Sequence, residues 1–165
     1  LSPQRGPLLH LSVDVHKVAP LSQRVAIHGR LFGGVNLDLG KPMRESFHFD
    51  SYLFLSQKFN LGGFANVGLD HQPIFSGLRY REYPVNNLAA LYLGVQYTPI
   101  KNLYITPHFS VGMDIQGPNM RDSDLLYGAG IDLDYNSLIG PIKLSFSRSN
   151  VLRASRFFFS LGYAF

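Results

Sequence analysis

Apolar and polar residues alternate with a period of two along most of this chain. Near its start, every second residue from Leu9 to Val15 is apolar, and the residues between them are polar. Alternation of this kind predicts β-strands that have one apolar and one polar face. Eight such strands are predicted, in residues 8–18, 24–35, 49–61, 87–97, 103–114, 127–135, 142–148 and 156–165.

The connections divide these strands into two groups within a single barrel region, residues 1–165. Three strands precede a long Gly- and Pro-bearing loop at about residues 62–86, and five strands follow it. In the second half, short turns alternate with longer polar loops. Several strands reach the roughly 9–11 residues that a tilted membrane-spanning strand needs. This pattern is typical of a transmembrane β-barrel, which has tight turns on one side and longer loops on the other.

Composition favours the same fold. Only 16% of the 165 residues are charged, against roughly 25% in soluble domains. No window of about 18 apolar residues exists, so a spanning helix is not predicted. The polar faces carry mainly Gly, Ser, His and Tyr, whereas a soluble barrel or sandwich would carry many Lys and Glu residues there. We therefore predict an all-β, antiparallel transmembrane barrel, with a soluble β-protein as the alternative.

Candidate chemistry is sparse in this sequence. The chain has no cysteine, and its 15 basic residues are scattered, which argues against thiolate metal sites and nucleic-acid binding. The G-x-S-x-G motif of serine hydrolases is absent. The six histidines are dispersed, and His10 and His16 stand about 20 Å apart along one strand, too far to share a metal. No catalytic, cofactor-binding or metal-binding residue is predicted.

The stretch from Phe59 to Tyr97 carries a more specific signal. A Leu61-Gly62-Gly63 turn is followed by the loop motif Leu78-Arg79-Tyr80, and five strands then lead to a terminal Phe165. This order resembles the C-terminal barrel of the bacterial surface antigen superfamily, which includes outer-membrane assembly factors, two-partner secretion translocators and patatin-like phospholipases. The run from Phe75 to Ala90 is most similar to the barrel tail of patatin-like proteins from Bacteroidota.

The resemblance implies that the long loop folds back into the barrel. In the family, the loop arginine reaches an acidic residue on the inner barrel wall. Here this role falls to Arg79, and its candidate partners are Asp114, Asp132 and Asp134. Tyr80 stands where the family motif has glycine. A solvated loop arginine is the alternative interpretation.

The family barrel has about twice as many strands as this chain, so we expect these residues to form its second half. The partner would be the missing N-terminal half-barrel or another copy, because lipid does not tolerate open sheet edges. The first ten residues lack a signal-peptide pattern, so either a signal has been removed or the chain is part of a longer protein.

Two functions remain open from the sequence. The first is a barrel segment of the Gram-negative outer membrane that anchors or translocates an associated domain or partner, and a lipase domain could precede it. The second is a self-contained eight-stranded structural or adhesion barrel. In both cases the partners are outer-membrane lipid and the outer-membrane assembly machinery, with no nucleic acid and no cofactor. A soluble lipid-binding barrel is a third, weaker alternative.

The last strand predicts an insertion signal. The apolar stripe of this strand consists of Phe159, Leu161, Tyr163 and Phe165. Deletion of Phe165 should lower the amount of protein that reaches the outer membrane, because the assembly machinery would lose the terminal aromatic residue of this stripe. Quantitative fractionation of membranes from cells that express either form would measure the change, and equal amounts would contradict the proposed signal.

Overall fold

A computed structural model describes residues 8–39, 58–62, 73–79, 81–116, 123–138 and 140–162. In these ranges the regular structure is entirely β, and no helix is long and apolar enough to cross a membrane. The strands are β1 (Leu8–Pro20), β2 (Val25–Asp38), β3 (Phe59–Leu61), β4 (Tyr83–Val85), β5 (Leu88–Tyr97), β6 (Leu103–Ile115), β7 (Ser123–Ser137), β8 (Gly140–Ser149) and β9 (Ser155–Leu161).

Seven of these strands form one antiparallel sheet in the order β1-β2-β5-β6-β7-β8-β9. Each strand pairs with its neighbour in the chain except where β2 meets β5. Over the described residues the sheet is open, because β1 and β9 each pair on one side only. The predicted all-β antiparallel fold is confirmed, and the sheet does not close into a barrel by itself.

The third predicted strand, residues 49–61, differs from the prediction where it can be followed. Most of it lies outside the described residues. Its end forms β3, which pairs with β4 in a separate two-stranded sheet. Strands β2 and β5 are direct neighbours, with Leu31 opposite Leu91. The residues between β2 and β5 are therefore an insertion between adjacent strands, and β3 is not a strand of the seven-stranded sheet.

The register places the apolar residues on one face of the sheet, which we call the outer face. One row across this face runs Val15, Leu31, Leu91, Val111 and Tyr127. Many large apolar side chains here are exposed to solvent in the isolated chain, among them Leu93 at 44% and Phe157 at 70%. The predicted division into apolar and polar faces is confirmed.

The opposite face, the inner face, carries the hydrophobic core. The seven-stranded sheet is called the wall from here on. Four of its residues contribute to this core, namely Phe32, Leu88, Ala90 and Leu126. The rest comes from the insertion, namely Phe59, Leu61, Phe75, Leu78 and Val85. Burial of side chains of this size stabilises a fold by about 1.5–3 kcal/mol each. The described part of the insertion is therefore packed against the inner face.

Two asparagines hold the base of the insertion. Asn36, near the end of β2, is fully buried, and its backbone N–H donates to Asn87 Oδ1 at 2.8 Å. Its side-chain amide donates to the carbonyl of Asn86 at 2.7 Å. Because Asn86 and Asn87 directly precede β5, these bonds join the two ends of the insertion at the edge of the core.

A glycine on the wall permits the closest approach of the insertion. A Cβ built at Gly128 of β7 would collide with the backbone carbonyl oxygen of Ser76. The neighbouring atom belongs to the backbone, so it cannot move aside as a flexible side chain would. Gly33 of β2 is a natural contrast, because nothing lies within 4 Å of a Cβ built there.

Substitution Gly128→Ala should therefore destabilise the fold, by about 1–3 kcal/mol, since overpacking at a rigid contact forces the backbone to shift. Thermal unfolding of the purified protein in detergent would measure the loss. The matched control is Gly33→Ala, for which we expect no comparable decrease. Equal unfolding temperatures for the two variants would contradict the close approach of Ser76 to β7.

Candidate functional site

The candidate site is the contact between the insertion and the inner face. The described residues 58–62, 73–79 and 81–87 are called the inward segment from here on. Within it, β3 and β4 pair through Phe59 opposite Val85 and Leu61 opposite Tyr83. The backbone N–H of Gly62 donates to the carbonyl of Pro73 at 3.4 Å. These bonds give the segment a compact structure of its own. Besides the asparagine contacts at its base, polar contacts of Ser76, Glu82 and Tyr83 join it to the wall.

The first contact is made by Ser76, which is 4% exposed. Its backbone N–H donates to Ser110 Oγ at 3.0 Å, and its hydroxyl lies 2.8 Å from the same oxygen. The Ser76 hydroxyl also lies 2.7 Å from His108 Nδ1. Both wall residues belong to β6. The part of the inward segment around Ser76, called its tip from here on, is therefore fixed to the middle of the sheet.

A network continues from His108 along the wall. His108 Nε2 lies 3.4 Å from Asp132 Oδ1, and Asp132 Oδ2 lies 3.3 Å from Lys143 Nζ. Ser145 donates a hydrogen bond to Asp132 Oδ1. Three neighbouring strands, β6, β7 and β8, are thus joined beneath the tip of the inward segment by polar contacts.

A serine, a histidine and an aspartate in contact are also the components of hydrolase sites. Here Ser76 is 4% exposed and the His108 side chain 6%. The neighbouring cavity is lined by Asp132 but by neither Ser76 nor His108. Among the described residues, the buried Ser76 hydroxyl is engaged by Ser110 and His108, and these contacts hold the inward segment in place.

The second contact is an ion pair between the inward segment and the last strand. Glu82 Oε1 lies 2.8 Å from Arg156 Nη2 of β9. The other carboxylate oxygen of Glu82 accepts a hydrogen bond from the backbone N–H of Arg79 at 2.7 Å. The two side chains are about one-fifth exposed, at 21% and 23%, so the pair is partly shielded from water.

The third contact joins Tyr83 of β4 to Asp114 of β6. The Tyr83 hydroxyl donates to Asp114 Oδ2 at 3.3 Å, and Gln116 donates to the same oxygen at 3.2 Å. Burial, and then the negative charge of Asp114, raise the pKa of Tyr83 to about 12. The neutral tyrosine is therefore the form that the folded protein stabilises.

The structure describes two of the three residues of the predicted loop motif, and these two differ in exposure. Leu78 is fully buried in the core, Arg79 is exposed, and Tyr80 lies outside the described residues. The three candidate aspartates have contacts from other side chains. Asp114 is bound by Tyr83 and Gln116, Asp132 by His108, Lys143 and Ser145, and Asp134 by Lys143.

The predicted insertion signal is placed in part. Phe159 and Leu161 project from the outer face of β9 and are 55% and 54% exposed. Tyr163 and Phe165 lie outside the described residues. Their role as a signal stays a prediction.

A cavity of about 220 Å³ lies on the inner face, between the inward segment and the end of the sheet with short turns. Its walls include Ile74 of the segment together with charged and polar wall side chains. These are His16, His28, Arg30, Tyr92, Gln96, Thr106, Asp132, Asp134 and Lys143. Acids and bases are mixed in this lining, and the described residues contain no group of three or more histidines and carboxylates that could hold a metal ion.

The comparison with known families decides the assignment. A family model described as the OMP85 superfamily matches residues 25–165. The chain belongs to the OMP85 superfamily. This match confirms the resemblance to the surface-antigen barrels at the level of the superfamily, whose members are outer-membrane proteins. A search of curated proteins gave no match.

Sequence reasoning missed the residues that hold the inward segment of this OMP85 chain. Ser76, His108, Glu82 and Arg156 were not predicted as partners, because their pairs are separated by 32 and 74 positions in the chain. Such contacts follow from the register of the sheet and from the path of the segment. The one local signal in this part of the chain was the loop motif, and the role predicted for its arginine stays a prediction.

The Tyr83 contact predicts a pH dependence at alkaline pH. The unfolded chain releases the Tyr83 proton near pH 10.0, whereas the folded protein retains it up to about pH 12. Stability from this group is therefore fully present below pH 10 and is lost as pH rises towards 12. The free energy of unfolding of the Tyr83→Phe variant should fall less over this range than that of the wild type.

Urea unfolding of both proteins, at pH values below 10 and near 12, would test this expectation. Parallel losses of stability in the wild type and in Tyr83→Phe would contradict it.

Proposed function

We propose that this chain forms part of the wall of an outer-membrane β-barrel that anchors or translocates an associated domain or partner. The observation that carries the proposal is the continuous apolar outer face of the sheet. Strands of a membrane barrel alternate between residues that face lipid and residues that face the lumen. The OMP85 match over residues 25–165 supports the same environment.

Aromatic residues at strand ends support a membrane boundary. Tyr97 and Tyr135 lie on the outer face, beside the short turns, and are 44% and 43% exposed. Girdles of aromatic residues flank the apolar band of membrane barrels at both interfaces. The end of the sheet with short turns would then face the periplasm. The inward segment would enter the barrel from the opposite, extracellular end.

The open edges support a partner that completes the barrel. In lipid, each unpaired backbone N–H or C=O group costs several kcal/mol, so the free edges of β1 and β9 need neighbours. Strand β1 is also exposed on both faces, including its inner-face residues Ser12 and His16. A further stretch of wall opposite β1 would cover these side chains. We propose that it is supplied by an N-terminal half-barrel, or by another copy of the chain.

The open sheet favours this larger barrel over a self-contained eight-stranded one. In a self-contained barrel β1 and β9 would pair with each other, whereas the described strands show no such pairing. Within the OMP85 superfamily, we propose the subgroup of patatin-like proteins from Bacteroidota, on the basis of the run from Phe75 to Ala90. The associated domain would then be a lipase-type domain that precedes the barrel.

The intact mass of the native polypeptide, isolated from outer membranes, tests the larger barrel. We expect a mass well above the 18.5 kDa of this chain. A mass near 18.5 kDa, for a protein that is monomeric in detergent, would contradict the larger barrel and favour the self-contained one.

An arginine introduced on the outer face should distinguish a sheet that faces lipid from a sheet that faces water. Substitution Leu93→Arg places an arginine towards lipid, which costs about 2–4 kcal/mol at the middle of a bilayer. We therefore expect a lower amount of folded protein in the outer membrane. The measurement is fractionation, followed by gel migration with and without heating.

The matched control is Gln96→Arg, on the same strand, because Gln96 lines the cavity of the inner face. This variant should insert at nearly the normal level. In a soluble protein the order would reverse, since Leu93 is already exposed and would accept a charge readily.

A further inference from the structure

We infer that the ion pair between Glu82 and Arg156 is the clamp that couples the inward segment to the last strand of the wall. This inference rests on the proposed membrane barrel. The arrangement of charges is the reverse of the one predicted from the loop motif, in which an arginine of the loop contacts an acid on the wall. The acid lies on the segment and the arginine lies on the wall, whereas Arg79 is exposed.

The first argument is the geometry of Glu82. Its two carboxylate oxygens have different partners, one in the wall and one in the segment. Oε1 contacts Arg156 Nη2 at 2.8 Å, and Oε2 accepts the Arg79 backbone N–H at 2.7 Å. The backbone N–H of Glu82 also donates to the Arg79 carbonyl at 3.3 Å. The carboxylate therefore links Glu82 to the backbone of Arg79 and joins this part of the segment to β9.

The second argument is the surroundings of Arg156. It lies on the inner face of β9, opposite Ser147 of β8. Ser147 and Ser149 are 1% and 3% exposed, and neither hydroxyl has a hydrogen-bond partner in the protein. Neutral hydroxyls do not balance a guanidinium charge. Glu82 supplies that balance, so its removal would leave a partly buried arginine without its carboxylate, which is strongly unfavourable.

The third argument is the position of β9 in the sheet. Over the described residues β9 pairs only with β8, and it is the shortest of the seven wall strands. The ion pair joins residues 74 positions apart. It thus adds a contact from the inner side to the strand that has the fewest contacts within the sheet.

The acids on the wall have partners other than Arg156. Asp132 contacts His108 and Lys143, both of which belong to the wall. Asp132 is therefore paired within the wall, whereas Asp114 accepts a hydrogen bond from Tyr83 of the segment. Glu82 and Arg156 form an ion pair that crosses from the inward segment to the wall.

The test measures whether the tip of the segment still covers the wall when the ion pair is removed. This chain has no cysteine, so Ser149→Cys introduces a thiol at a wall position that is 3% exposed, beside Gly77 of the segment. The Ser149 hydroxyl has no hydrogen-bond partner in the protein, so the change removes no contact of the segment. In intact outer membranes, the rate of labelling by a membrane-impermeant maleimide reports exposure of that thiol. We expect Glu82→Gln and Arg156→Gln, each in the Ser149→Cys background, to raise the rate about tenfold.

Two further variants separate the ion pair from other effects. The charge exchange Glu82→Arg with Arg156→Glu should return the rate to within about twofold of the parent, because it restores an opposite pair at the same positions. The matched control is Arg153→Gln, which removes one exposed arginine near the start of β9 and should leave the rate unchanged. If Arg156→Gln fails to insert, Glu82→Gln decides the question, since Glu82 lies outside the seven-stranded sheet.

The outcomes distinguish this inference from the proposed function. Fractionation of the parent protein comes first, and its absence from outer membranes would overturn the proposed function itself. With the parent in place, unchanged labelling of both single variants would overturn the clamp alone. An exchanged variant that labels as fast as the single variants would also overturn it, because the loss would then arise from side-chain shape rather than from paired charges.

Discussion

The constraint on which this structure depends is that a backbone within lipid must find all its hydrogen bonds in neighbouring strands. Seven strands meet this requirement by pairing in chain order, apart from the step from β2 to β5. The face to which each side chain points then follows from the pleat, because successive residues of a strand point to opposite faces. The apolar outer face and the polar inner face are both consequences of the same ladder of hydrogen bonds.

The inner face carries mainly small and polar side chains, which bury little apolar surface by themselves. The inward segment adds apolar surface, because Phe59, Phe75 and Leu78 belong to the same core cluster as Phe32 and Leu88 of the wall. This core lies on the inner face of the sheet, opposite the apolar outer face. Polar contacts at Ser76, Glu82 and Tyr83 then fix the orientation of the segment, which apolar packing alone leaves less defined.

Much of the wall could be predicted from the sequence, because alternation is a local property of each strand. The faces of β1, β2 and β5 to β9 follow directly from it, and the tyrosines at the ends of β5 and β7 lie where the pattern puts them. The neighbour of β2 could not be predicted in the same way. A strand-like pattern in residues 49–61 does not show whether β3 joins the wall or, as here, pairs with β4.

The site was harder to predict for a related physical reason. The loop motif led to the prediction that Arg79 contacts an aspartate on the wall, which stays a prediction, whereas the pair of Glu82 and Arg156 was not predicted. The position of a side chain along a loop does not determine which way it points. The choice among Arg79, Arg81 and Glu82 depends on the path of the backbone, and the Glu82 carboxylate is itself linked to the backbone of Arg79.

The adjacency of β2 and β5 has a consequence for how such a chain can change during evolution. Because these strands pair directly and Asn36 and Asn87 join the base of the insertion, the length of the chain between them does not enter the register of the wall. The entropy of closing a flexible loop grows only with the logarithm of its length. Residues can therefore be gained or lost within the insertion while the strands on either side keep their partners, so the lumen can acquire new contents without a new barrel.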